Sequence, residues 1–115
     1  MLSQSSARTV LVAENNASSQ TVGFLVAHQL RPEWELENIV VSGSEQRKGL
    51  GKRLLSAFIA RVKRAAGASI LLEVRESNVA ARALYEKSGF SQVGARKSYY
   101  QNPLEDAILY RLDLH

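Results

Sequence analysis

The chain has 115 residues, 45% of them hydrophobic, which is enough for one domain spanning residues 1–115 with its own core and too little for two. With no cysteine and two histidines, it excludes disulfides, thiolate chemistry and a dedicated metal cluster, so no metal is expected. A formal charge of +4 favours phosphate-bearing partners, but the basic residues are not interleaved with stacking aromatics, so nucleic acid is not indicated. No apolar run approaches a membrane span and the first residues lack a signal-peptide core, so the expectation is a cytoplasmic protein with no membrane partner.

RTVLVAE (8–14) and TVGFLVAHQ (21–29) read as strands joined by the turn-prone NNASSQ. WELENIVV (34–41) makes a third strand whose pattern changes partway. Alternation through Trp34, Leu36 and Asn38 gives way to the continuous apolar Ile39-Val40-Val41. A bulge near Asn38–Val40 explains the change, as does a strand end buried on both faces. From Gln46 to Ala66 the period becomes helical, with Leu50, Leu54, Leu55, Phe58, Ile59 and Val62 on one stripe and Gly67 as the stop. SILLEV (69–74) is a buried strand. Ser77-Asn78 then opens a second helix over 79–88, ended by Gly89 with Phe90 behind it. Strands over 91–100 and 106–113 follow. The order β-β-β-α-β-α-β-β places a parallel pair in the middle and hairpins around it, which predicts a mixed α/β sheet in three layers.

The stretch SEQRKGLGKRLL (44–55) puts Gly49 and Gly51 among Arg47, Lys48 and Lys52 at the mouth of the first helix. Such a helix start offers unpaired N–H groups and partial positive charge, and a pyrophosphate is its natural guest. The spacing fits neither familiar nucleotide loop, because Leu54 stands where G-x-G-x-x-G needs a third glycine. An ordinary βα turn with a solvated basic first turn explains the glycines equally. Glu73 is a lone carboxylate within SILLEV, either a strand end reaching solvent or a reactive group. Tyr85, Tyr99 and Tyr100 read as packing aromatics unless a site claims them, and Asn78 as a plain N-cap.

Gln46-x-x-Gly49-x-Gly51 resembles the Q/R-x-x-G-x-G/A signature of the GNAT N-acetyltransferases. ENIVVSGSEQRKGLGKRLL, LLEVRESNVAARALYEKSGF, ARKSYY and EDAI, together spanning about residues 20 to 113, resemble the RimI-type subfamily. Those enzymes acetylate protein N-termini, typically that of a small-subunit ribosomal protein. The resemblance implies a GNAT (acyl-CoA N-acyltransferase) fold, acetyl-coenzyme A as co-substrate without a metal, and a protein N-terminus as partner. By position it implies that the coenzyme lies against the backbone of Ile39, Val40 and Val41. Its pyrophosphate would be held by Arg47, Lys48, Gly49, Leu50, Gly51 and Lys52, with Asn78 as a further contact. It implies Glu73 as general base, Tyr85 as the acid facing the departing thiolate, and Tyr99 and Tyr100 as walls of the peptide groove. An apolar strand end is expected to raise a carboxyl pKa toward working pH. A phenol near 10 gives its proton to a thiolate near 8.5 only uphill, by about 2 kcal/mol, so Tyr85 is expected at least to hydrogen-bond the thiolate.

Members of that family begin with a strand and two helices that wall the acceptor site, and only a short segment precedes residue 8 here. The expectation is therefore an N-terminally truncated GNAT domain. It acts either as a compact enzyme or as a module that binds acetyl-coenzyme A without efficient catalysis, or needs a partner to complete its acceptor site. The hydrophobic VLVA edge is then expected to be covered by a homodimer.

Overall fold

The period-two runs form strands and the helical stripes form helices, in the expected order. The computed structural model describes residues 8–30, 32–43, 46 and 49–114. Its elements are β1 (Arg8–Glu14), β2 (Thr21–Leu30), β3 (Glu33–Val41), α1 (Leu50–Arg64), β4 (Ser69–Arg75), α2 (Val79–Lys87), β5 (Ser91–Tyr100) and β6 (Glu105–Asp113). One six-stranded sheet runs β1-β2-β3-β4-β6-β5. Only β3 and β4 are parallel, and antiparallel pairs flank them on both sides. The last strand inserts between β4 and β5, so β5 rather than β6 forms the far edge.

Trp34, Leu36, Ile70, Leu72 and Tyr110 point to one face of the sheet and are buried there. Phe58 of α1 meets Trp34 edge-on at 6.0 Å, and Tyr85 of α2 meets Tyr110 at 6.1 Å. Both helices therefore cover this same face, and among the described residues they and the sheet make two of the three expected layers. The opposite face carries Glu35, Leu71, Glu73 and Leu109, all half-buried. At the β1 edge, Val10 and Val12 are about half exposed, at 54% and 53%.

Helix ends differ from expectation in instructive ways. α1 starts at Leu50 and not at Gln46, because Gly49 sits at φ 79° and breaks the helical path just before it. Ala66, with φ 59°, takes the left-handed position at the other end, and Gly67 N–H then donates to the Val62 carbonyl at 2.9 Å. Gly67 is required for space: a Cβ there would sit 2.4 Å from Val62 and 2.9 Å from Trp34. α2 ends as the sequence predicts, with Gly89 left-handed and Phe90 N–H donating to the Tyr85 carbonyl at 3.0 Å.

Two irregularities shape the middle of the sheet. Val26 pairs with Asn38 but its neighbour Ala27 pairs with Leu36, so Glu37 is an extra residue in β3. The bulge thus lies one residue before the Asn38–Val40 stretch expected to hold it. Across the parallel interface, β3 and β4 pair only at Glu33–Ser69, Trp34–Ile70 and Glu35–Leu71. Beyond that point β3 continues to Val41 along β2, while β4 continues to Arg75 along β6, and the two diverge.

Candidate active site

The divergence leaves the facing edges of residues 36–41 and 72–75 unpaired with each other in the centre of the sheet. Ile39 and Val41 are half-buried on this margin and Val40 is exposed. α1 begins at the far end of β3. Among the described residues no side chain caps its N-terminus, and its first turn holds no acidic residue, so Lys52 is unopposed within the turn. The Gln46 side-chain amide donates to the Val41 carbonyl at 3.4 Å, tying the glycine loop to the end of β3. Among the described residues, nothing beyond its chain neighbours lies within 4 Å of a Cβ built on Gly49. A Cβ built on Gly51 would meet Leu84 of α2 at 3.6 Å and Val41 at 3.9 Å. Such an end, with bare amides and a cation beside it, fits an anion. Arg47 and Lys48, expected to add charge here, lie outside the described residues.

Glu73 projects from β4 toward β5, with 22% of its side chain exposed. Its Oε1 pairs with the Arg96 guanidinium at 3.3 Å, while Oε2 is buried with no hydrogen-bond partner among the described residues. A cleft of about 310 Å³ gathers Glu73, Tyr99 and Tyr100 with His28, Glu35, Leu36 and Glu37. Tyr99 and Tyr100 meet edge-on at 5.2 Å. Arg96 lies over Tyr99 at 5.5 Å and Arg75 over Tyr100 at 4.2 Å. Burial pushes the Tyr100 phenol above its ordinary value, and the nearby Glu73 carboxylate adds to the effect.

Tyr85 is buried on the helix-covered face, between the rings of Phe90 at 5.8 Å and Tyr110 at 6.1 Å. Desolvation raises its phenol pKa, with a smaller contribution from Tyr100. α2, which carries it, is braced where Arg82 Nε donates to the Tyr110 hydroxyl at 3.0 Å and that hydroxyl donates to Glu86 at 2.7 Å. Asn78 is the N-cap of α2: its Oδ1 accepts from Ala81 N–H at 3.2 Å, which leaves its Nδ2 amide for another partner.

The structure therefore brings Glu73, Tyr99 and Tyr100 into one cleft and gathers Ile39, Val40, Val41 and the Gly49–Lys52 turn around the divergence. Sequence reasoning missed three participants. Arg96 pairs with Glu73, and Arg75 with Glu105 at 3.1 Å. His28 stands between carboxylates, 2.5 Å from Glu37 and 3.2 Å from Glu35. The only available signal for His28 was the scarcity of histidine in the chain. Glu37 in turn is held below the usual carboxylate range, chiefly by its contact with His28 and then by the charge of Arg8.

The chain matches the profile of the Acetyltransferase (GNAT) family over residues 2–90. It is 43% identical over 90 residues to the [Ribosomal protein bS18]-alanine N-acetyltransferase of Haemophilus influenzae, covering 78% of this chain and 59% of that protein. Its fold superposes on the crystal structure of the ribosomal-protein-S18-alanine N-acetyltransferase from Escherichia coli with a TM-score of 0.87. That match has 35% identity and covers 96% of this chain and 71% of the other. A putative streptothricin acetyltransferase from Bacillus anthracis, solved in complex with acetyl coenzyme A, matches with a TM-score of 0.83 and 30% identity. That match covers 94% of this chain and 63% of the neighbour. The divergence of β3 from β4, the glycine turn opening α1 and these similarities agree: the chain belongs to the acetyltransferase (GNAT) family.

Proposed function

We propose that this chain transfers an acetyl group from acetyl-coenzyme A to the α-amine of a protein N-terminus, with the alanine of ribosomal protein bS18, named for its relatives, as the leading acceptor. The observation that carries this reading is the parting of β3 and β4 after Glu35 and Leu71, with an uncapped helix start at one margin and Glu73 at the other. Unpaired strand edges suit the amide-bearing arm of the coenzyme, which would run along Ile39, Val40 and Val41. The pyrophosphate suits the backbone of Gly49, Leu50 and Gly51 with the charges of Arg47, Lys48 and Lys52. Asn78 adds its free amide. Tyr99 and Tyr100 flank the acceptor. No helix among the described residues is long and apolar enough to cross a membrane, and the reaction is assigned to the cytoplasm, where ribosomal proteins are made.

In the proposed step the amine nitrogen attacks the thioester carbonyl carbon, a C–N bond forms and the C–S bond breaks. The amine proton passes to Glu73, directly or through a water, and the thiolate departs. An α-amine has a reference pKa of about 7.7–8.0, so much of the acceptor is already neutral near pH 8 and a modest base suffices. Burial makes the Tyr85 phenol a still weaker acid than a free one. Its role is to hydrogen-bond the leaving thiolate, with full proton transfer more uphill than the reference values imply.

The test is Glu73→Gln. Its kcat/KM on an alanine-starting peptide should fall by about 10²–10⁴-fold, while calorimetry finds acetyl-coenzyme A affinity nearly unchanged. A variant matching the native chain across about pH 6 to 9 would remove Glu73 from the chemistry. A second reading, a module that binds the coenzyme without efficient turnover, is favoured by Arg96, whose guanidinium already occupies Oε1 of Glu73. It wins if the native chain binds acetyl-coenzyme A yet acetylates no peptide.

A further inference from the structure

His28 has no part in the acetyl-transfer step, yet both its ring nitrogens contact carboxylates in the cleft. It projects from β2 with only 16% of its side chain exposed. Nδ1 lies 2.5 Å from Oε2 of Glu37, and Nε2 lies 3.2 Å from Oε1 of Glu35. Glu35 is the register partner of His28, and Glu37, two residues along β3 at the bulge, reaches the other ring nitrogen. Among the described residues, the charged groups facing the ring are Arg8 from β1 and Glu35 and Glu37 from β3. Glu73 from β4 and Tyr99 and Tyr100 from β5 complete the cleft.

A neutral imidazole has one N–H, so both contacts are hydrogen bonds only when the ring carries two protons. The two carboxylates are not equivalent once a proton leaves. Glu37 makes the shorter contact and is also held by Arg8 at 3.2 Å, so it is fixed in place and retains the Nδ1 proton. Nε2 then turns a lone pair toward Glu35. That side chain is 38% exposed and has no other ion pair among the described residues, so it is the one that leaves. The cleft it swings into is the one where Glu73 awaits the acceptor amine.

We infer that His28 is a positioning residue: doubly protonated it holds Glu35 against β2, and neutral it releases Glu35 to accept a hydrogen bond from the acceptor's α-amine. The acceptor assignment rests on the proposed acetyl transfer, whereas the ring geometry does not.

Two measurements on the full chain test it. Imidazole ¹⁵N shifts followed against pH report the tautomer directly, and with two histidines in the sequence, His28→Gln identifies the signal. The expected neutral form carries its proton on Nδ1, and an Nε2–H tautomer overturns the inference whether or not the chain turns over. In kinetics with an alanine-starting peptide, the acceptor KM should fall on the order of threefold as the ring loses its proton, the scale of one net hydrogen bond. That step should be absent from kcat and from acetyl-coenzyme A affinity. His28→Gln and Glu35→Gln should each flatten it. A step that survives in His28→Gln, or that appears only in kcat, overturns the inference. If the native chain binds the coenzyme but acetylates nothing, the transfer reading fails, and calorimetric peptide affinity over the same pH range decides the role of His28 by the same criteria.

Discussion

Glu35 and Leu71 are the last residues at which β3 and β4 are paired. One residue later Leu36 is still locked to Ala27, and Leu72 to Tyr110, so neither strand loses its other neighbour as they part. The extra residue Glu37 bends β3 at this point, and bulged strands gain local twist. The opening is thus flanked on both sides by antiparallel ladders, β2–β3 continuing past its bulge and β4–β6 unbroken. It is a fixed feature of the sheet and costs no pairing on binding.

At one end of that opening Gly49 takes φ 79°, with nothing but its chain neighbours within 4 Å of a Cβ built on it among the described residues. Gly49→Ala should therefore lose stability by about 1 kcal/mol for conformational reasons alone, with Gly49→Asn losing less because asparagine tolerates the left-handed region. Gly49→Glu should in addition abolish acetyl-coenzyme A binding, by placing an anion at the proposed pyrophosphate position. Thermal denaturation and calorimetry on the three variants separate the effects, and retained affinity in Gly49→Glu would move the pyrophosphate elsewhere.

Tyr85 is enclosed by Phe90 and Tyr110, and its phenol is pushed up by burial. Tyr85→Phe preserves the ring packing and removes only the hydroxyl. The expected result is a lower kcat with thermal stability within about 1 kcal/mol of the native chain, the scale of one hydrogen bond. The loss should be greater with acetyl-coenzyme A than with an acetyl thioester of a more acidic thiol, whose thiolate needs less stabilisation. Equal losses on the two donors would assign Tyr85 to packing.

Glu105 joins β6 to the turn before α2, accepting from Ser77 N–H at 3.0 Å and pairing with Arg75 at 3.1 Å. Its carboxyl is held below the usual range, first by Ser77 and then by Arg75. A depressed folded-state pKa means that its stabilisation is present above the unfolded value of about 4.3 and is lost as pH falls through the lower folded value. Melting temperature should accordingly decline on acidification below about pH 4.5, and Glu105→Gln should be less stable at neutral pH with a shallower acid decline. Parallel declines in the two proteins would show that Glu105 contributes nothing to acid sensitivity.

β1 forms an edge of the sheet among the described residues, and Val10 and Val12 are exposed on it. Unprotected apolar edges pair with other chains. Light scattering at micromolar concentration should find the 12.7 kDa chain self-associated, with Val10→Lys/Val12→Lys shifting it toward monomer. A native chain that is monomeric throughout would show the edge to be harmless.

Much of this molecule is written in short-range pattern. Apolar period two or three to four assigns each element, Asn78 and Gly89 bound α2, and the glycines at 49 and 51 mark the turn into α1, because each of these depends on residues within a few positions of one another. Motif resemblance implied a base role for Glu73 and groove walls from Tyr99 and Tyr100, and the structure lines one cleft with all three. Tertiary structure alone decided the rest. Strand order placed β6 inside β5, since which strands pair depends on closing long loops and covering a common face. The bulge fell at Glu37 and not beyond it, because register is a contest between two strands and not a property of one. Only that register carries Glu35 and Glu37 to opposite nitrogens of His28, and only the turn of β5 lays Arg96 on Glu73. These are contacts between residues far apart in sequence, and no local pattern encodes them.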